Sequence, residues 1–153
     1  MLPANERPLP YLQRATLVID DLDRALEVYR DLLGLSLEFV GGSEADAFAY
    51  EVLKIPERIE IRFAALSSDS QQRTLALVEA PGLAVEREGP RRAAVVVQVA
   101  SVPDTLAGAS RLGLEVCSSH TTLDPAKGPP RTESAFYDAD GHTVVIYQLE
   151  EAF

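Results

Sequence analysis

Tryptophan is missing from this 153-residue chain, and cysteine and methionine occur once each. A single cysteine, Cys117, excludes an internal disulfide, and with only two histidines, His120 and His142, there is no Cys/His metal-binding spacing. No apolar run approaches the roughly 20 residues that span a bilayer. The first residues, Met1-Leu-Pro-Ala-Asn-Glu-Arg, lack the basic and apolar regions of a signal peptide. A cytoplasmic protein without a membrane partner is the expectation. Basic residues are also scarce: 14 Lys and Arg stand against 24 Asp and Glu, for a formal charge of −10. Nucleic acid would be repelled, whereas a cationic ligand would be attracted. No G-x-G-x-x-G or P-loop string is present, which removes support for dinucleotide or NTP binding.

What is present is a repeated unit. Arg14 to Ile19 is a β-branched, apolar run and reads as a strand. Asp21 follows as a helix N-cap, with Asp23 adding negative charge near the positive end of the helix. Leu22, Leu26, Tyr29 and Leu33 recur at helical spacing, and Gly34 stands where a left-handed C-cap is expected. Leu35 to Val40 reads as the next strand. A short helix is expected over about 44–54, then strands over Arg58–Leu66 and Arg73–Glu79. Residues 81–92, with Pro81, Gly82, Gly89 and Pro90, read as a linker.

The same order then returns. Ala93 to Val99 is strand-like, and Ser101 caps a helix with Pro103 in its first turn and Asp104 at its third position. Leu106, Ala109 and Leu112 form its expected apolar face, and Gly113 closes it. Leu114–Ser118 reads as a strand and His120–Arg131 as a proline- and glycine-rich loop, either a lid over the cavity or an ordinary connection stiffened by proline. Thr132–Tyr137 and Thr143–Gln148 form a hairpin around Asp138-Ala-Asp-Gly141. The chain is therefore α+β: two tandem β-α-β-β-β modules, 8–80 and 93–150, with mixed curved sheets enclosing a cavity.

The string Leu17-Val-Ile-Asp-Asp-Leu-Asp-Arg-Ala-Leu-Glu-Val-Tyr-Arg-Asp-Leu-Leu-Gly34 resembles the first module of the vicinal oxygen chelate superfamily, the glyoxalase, bleomycin-resistance and extradiol dioxygenase group. Phe136-Tyr-Asp-Ala-Asp-Gly-His142 resembles its F-x-D-P-D-G-N hairpin, and Leu75-Ala-Leu-Val-Glu79 its L-E-L-x-E strand. The resemblance spans about residues 10–149 and implies a glyoxalase-like fold and a homodimer. It does not choose among the chemistries that the superfamily hosts.

The resemblance also implies where a divalent metal would be held: by His or Gln on the first strand of each module and Glu on the last. Counting seven residues back from the caps Asp21 and Ser101 gives Arg14 and Ala94, and the two Glu positions fall at Ala76 and Val145. A guanidinium, two methyls and an isopropyl do not ligate a metal, so neither metal nor other cofactor is expected. A slip to Gln13 would restore one ligand but turn it to the other sheet face.

Strand alternation places Arg14, Thr16, Thr74, Ala76, Ala94, Gln98, Val145 and Tyr147 on the cavity face. That lining, apolar with a few polar groups, suits a small molecule. Arg14 is either an anchor for a carboxylate, phosphate or enolate, or a structural ion pair, or an arginine that snorkels outward. Tyr147 is a proton donor or a core aromatic; Gln98 orients a ligand or satisfies backbone groups. Glu79 is expected to face away from the cavity, His142 to be a solvated turn residue, His120 a surface loop residue, and Cys117 inert core. Three functions stay open: a metal-free binding protein, an enzyme working through Arg14 and Tyr147 or an unrecognised metal site, and a scaffold with a vestigial pocket. The first leads, and no catalytic residue is assigned.

Overall fold

A computed structural model describes residues 8–10, 12–42, 47–83, 93–124, 126 and 128–150. The chain divides into two compact units, Met1–Arg30 with Gly34–Ala84, and Val85–Phe153 with Asp31–Leu33. Each holds one four-stranded mixed sheet, and neither sheet closes on itself. Most of the expected linker, 84–92, and the start of the expected short helix, 43–46, lie outside the described residues, as do Pro125 and Lys127 of the expected loop. No described helix is long and apolar enough to cross a membrane.

The first unit contains β1 (Ala15–Ile19), α1 (Leu22–Leu26), β2 (Ser36–Gly42), α2 (Ala47–Leu53), β3 (Arg62–Ser67) and β4 (Leu75–Glu79). Its sheet order is β1-β4-β3-β2, with β1 parallel to β4 and the other pairs antiparallel. Asp21 caps α1 by accepting from the Arg24 amide at 3.0 Å. The helix then widens into π-type turns over Glu27–Leu32 and ends at Gly34, whose φ of +80° is open to glycine. Leu22, Ala25, Leu26, Val28 and Tyr29 are buried. The expected apolar face is thus present, although Leu33 at its end is only half-buried.

Two strands start later than expected. Pro56 and Ile59 form a turn, with the Ile59 amide donating to the Pro56 carbonyl at 2.9 Å, so β3 begins at Arg62 rather than Arg58. Arg73 has a φ of +53°, outside the extended region, and β4 begins only at Leu75.

The second unit contains β5 (Ala94–Gln98), α3 (Val102–Arg111), β6 (His120–Thr122), β7 (Arg131–Tyr137) and β8 (Thr143–Leu149). Its order is β5-β8-β7-β6, with β5 parallel to β8. Ser101 caps α3 by accepting from the Asp104 amide at 3.2 Å. The buried residues of α3 are Val102, Thr105, Gly108 and Ala109, while Leu112 is 37% exposed. The expected face was rotated because it followed the large side chains. α3 lies against β7 and β8, and its small residue Gly108 sits directly against Leu32.

The expected strand Leu114–Ser118 is a single antiparallel bridge, Val116 to Phe136, and the head of the expected loop is β6. Both run along the same edge of β7. Between them the pairing slips by one residue, where the Ser134 hydroxyl donates to the Cys117 carbonyl at 2.9 Å. His142 is also not a solvated turn residue. It is 8% exposed, and its amide donates to Asp138 Oδ1 at 2.7 Å inside the hairpin turn.

Candidate functional site

The repeat used to locate the site recurs in atomic contacts. In the first unit, the Leu22 amide at the first turn of α1 donates to Glu79 Oε2 at 2.5 Å. In the second, the Val102 amide at the first turn of α3 donates to Gln148 Oε1 at 2.6 Å. Each acceptor stands at the end of its module's last strand and satisfies one of the amides that a helix start leaves orphaned. Aligning Glu79 with Gln148 brings Ala76 onto Val145. Aligning the caps brings Thr16 onto Val96. Thr16 is paired with Ala76, and Val96 with Val145, in the two parallel ladders.

Glu79 faces α1, on the side of β4 that carries Leu75 and Leu77. Arg62 donates to it twice, Nε to Oε1 at 2.7 Å and a terminal nitrogen to Oε2 at 2.9 Å. The Arg62 hydrogen bond is the main reason the Glu79 carboxyl sits below its ordinary pKa; burial opposes it, and the Leu22 amide reinforces it. An open cleft of about 560 Å³ adjoins this pair, lined by Arg58, Ile59, Glu60, Arg62, Glu79 and Pro81. It includes none of the eight residues chosen from sequence.

Those eight lie on the opposite sheet faces, four in each unit. In the first unit Arg14 and Thr16 are exposed, Thr74 is half-buried and Ala76 is fully buried. Arg14 makes no hydrogen bond or ion pair among the described residues. Much of this face is covered by the chain itself. Val18, Val78 and Phe63 are neighbours in register, and Ile55, Ile61, Ala49, Tyr50, Leu53 and Leu83 pack with them. The Tyr50 hydroxyl fastens α2 there by donating to the Ile59 carbonyl at 2.6 Å. Farther along, the Arg73 guanidinium lies 5.2 Å from the centre of the Phe39 ring.

In the second unit Ala94 and Gln98 are exposed, and Val145 and Tyr147 half-buried. The parallel ladder pairs Ala94 with Thr143, Val96 with Val145 and Gln98 with Tyr147. The Tyr147 hydroxyl donates to Gln98 Oε1 at 3.2 Å. Sequence reasoning missed three residues of this face. Glu133 is directly opposite Tyr147, and His120 directly opposite Glu133. Glu133 followed the period-2 pattern of the hairpin and was legible in principle. His120 was hidden by its assignment to a loop. Cys117, expected in the core, is half-exposed beside Tyr137, whose hydroxyl is held above its ordinary pKa chiefly by its hydrogen bond to that thiol.

The four positions where the family resemblance would put metal ligands carry Arg14, Ala76, Ala94 and Val145. None offers a lone pair to a divalent cation, so this donor set does not fit a metal. Among the described residues, no three His, Cys, Asp or Glu side chains gather at one point.

Two capped β-α-β-β-β units with this shared register define a glyoxalase-type α+β protein. The model of the Glyoxalase/Bleomycin resistance protein/Dioxygenase superfamily matches residues 11–146, and the chain belongs to that superfamily. No curated protein matches its sequence. Among solved structures, a glyoxalase family protein from Bacillus cereus is similar with a TM-score of 0.74 and 16% identity, covering 95% of this chain and 98% of that one. A glyoxylase/bleomycin resistance protein/dioxygenase domain from Frankia sp. EAN1pec has a TM-score of 0.62 and 17% identity, over 94% and 100% of the two chains. The fosfomycin resistance protein FosX from Listeria monocytogenes, solved with Mn(II) and sulfate, has a TM-score of 0.61 and 14% identity, over 94% and 95%. At these identities the likeness speaks for the fold.

Proposed function

We propose that this chain binds a small organic molecule, without a divalent metal, on the sheet faces turned away from α1 and α3. The observation that supports this most is the set Arg14, Ala76, Ala94 and Val145 at the positions that the family resemblance gives to metal ligands, with Ala76 and Val145 paired to the equivalent residues Thr16 and Val96. A metal-chelating reaction needs oxygen or nitrogen donors there. The mostly apolar lining with isolated polar groups suits direct recognition of a ligand.

A metal-free enzyme is the second reading. It is favoured by Tyr147, which is oriented by Gln98 on a partly open face and would place its oxygen against a bound hydroxyl group. Arg14, exposed and without a carboxylate partner among the described residues, would meet an anionic group.

Metal retention tests the main reading. The protein, purified without a metal-affinity step, is incubated in turn with Mg, Mn, Fe(II), Ni and Zn, desalted and assayed for metal. Retention near zero for all five is expected. Near-stoichiometric retention of any of them overturns the metal-free reading.

A further inference from the structure

The two sheets differ on the faces turned away from α1 and α3. In the first unit the row Val18, Val78 and Phe63 is packed under α2 and the segment that follows it. In the second unit the corresponding face is open enough to leave Val96 62% exposed near the middle of β5. We propose that this face of the second sheet is the ligand site, and that the row Gln98–Tyr147–Glu133–His120 recognises a hydrogen-bond-donating group, amino or hydroxyl, on a small apolar body. The proposal rests on the reading that the chain binds a small organic molecule, and it names where and by what chemistry.

The floor comes first. Val96, Val145 and Ala135 are consecutive partners across β5, β8 and β7, and they form a strip of small apolar side chains. Covering Val96 removes apolar surface from water, which favours an apolar ligand body. The polar row is two residues farther along each strand, about 6.6 Å away, roughly the width of one six-membered ring. A ring lying on the strip thus brings its substituent to the row.

The row's hydrogen-bonding sense decides what that substituent is. Tyr147 gives its proton to Gln98 Oε1, so its oxygen meets a ligand as an acceptor. Glu133 Oε1 accepts from Arg131 Nε at 2.8 Å, while Oε2 has no hydrogen bond among the described residues. Tyr147 and Glu133 are direct cross-strand partners, with Cβ atoms about 5 Å apart in such pairs, so both acceptors border the same stretch of the face. Between Tyr147 and Glu133 a ligand therefore meets acceptors, with the Gln98 amide nitrogen as the donor at the end of the row. The formal charge of −10 adds attraction for an amine in its ammonium form.

The test is a titration of the full-length ¹⁵N-labelled chain with benzylamine, benzyl alcohol and benzoate, each to about 10 mM, a range suited to fragment-sized ligands. Benzylamine and benzyl alcohol are expected to shift the amides of Val96, Gln98, Glu133 and Tyr147. In Glu133→Gln, benzylamine affinity should fall roughly tenfold, because a charge-assisted bond becomes a neutral one, while benzyl alcohol changes little. Val96→Arg, at an exposed position that tolerates the change, should abolish binding of both. The undisturbed remainder of each spectrum reports that the variants fold. Preferential binding of benzoate near Arg14 and Thr74 would overturn the proposal while leaving the metal-free pocket standing. Absence of shifts with all three probes would overturn both.

Discussion

Replacing Glu79 separates two roles that one carboxylate performs. Its Oε2 accepts the Leu22 amide, and both oxygens bind Arg62. Glu79→Ala leaves the Leu22 amide without its acceptor in a buried setting, at about 1–3 kcal/mol. It also removes an ion pair whose arginine side is 46% exposed and whose worth is therefore at most about 1 kcal/mol. The sum is about 1–4 kcal/mol. Glu79→Gln should cost only about 1 kcal/mol, because a neutral amide oxygen can hold the helix start, as Gln148 holds Val102. Urea denaturation of the three proteins at neutral pH reads both differences. The acid side gives a second check. The folded-state pKa of Glu79 is depressed, so its contribution is complete above the unfolded carboxylate value of about 4.3. That contribution is lost as pH falls through the lower folded value. The gap between the native protein and Glu79→Gln should therefore narrow below about pH 4. Equal destabilisation by Gln and Ala, or a gap that persists in acid, would refute the division of roles.

Asp138→Ala should destabilise by about 1–3 kcal/mol, since Asp138 Oδ1 accepts the amides of Asp140 at 3.0 Å and His142 at 2.7 Å in the hairpin turn. Thermal denaturation measures it. Tyr50→Phe removes the hydroxyl that holds α2 to the Ile59 carbonyl and should cost about 1 kcal/mol. Faster amide exchange confined to 49–61, with β5 and β8 unchanged, is the expected signature.

What the sequence discloses here depends on how local the cause is. Asp21 and Ser101 announce their helices because a cap acts within three residues, and Gly34 announces an end because φ of +80° disfavours other residues. The hairpin around Asp138–Gly141 is equally local. Register and face are not. The buried side of α3 is set by what fits against β7 and β8, and small residues there defeat a reading weighted toward leucine. β6 went unseen because an edge strand with the sequence His-Thr-Thr needs no apolar alternation. Residues of the candidate site on β1, β4, β5 and β8 were legible by period-2 counting. Glu133 follows the same alternation along β7, whereas His120 and Cys117 join that face through pairings with β7 that no local pattern carries.

The slipped pairing along β7 also bears on self-association. An uninterrupted outer strand offers a regular row of amides and carbonyls on which another chain can extend a sheet. Here that border is made of a bridge at Val116 and a three-residue strand at His120–Thr122, out of step by one residue. A docking strand would have to break its own register at the same point. The kinked border thus works against fibril-like growth from this side, a form of colloidal protection built from backbone geometry alone.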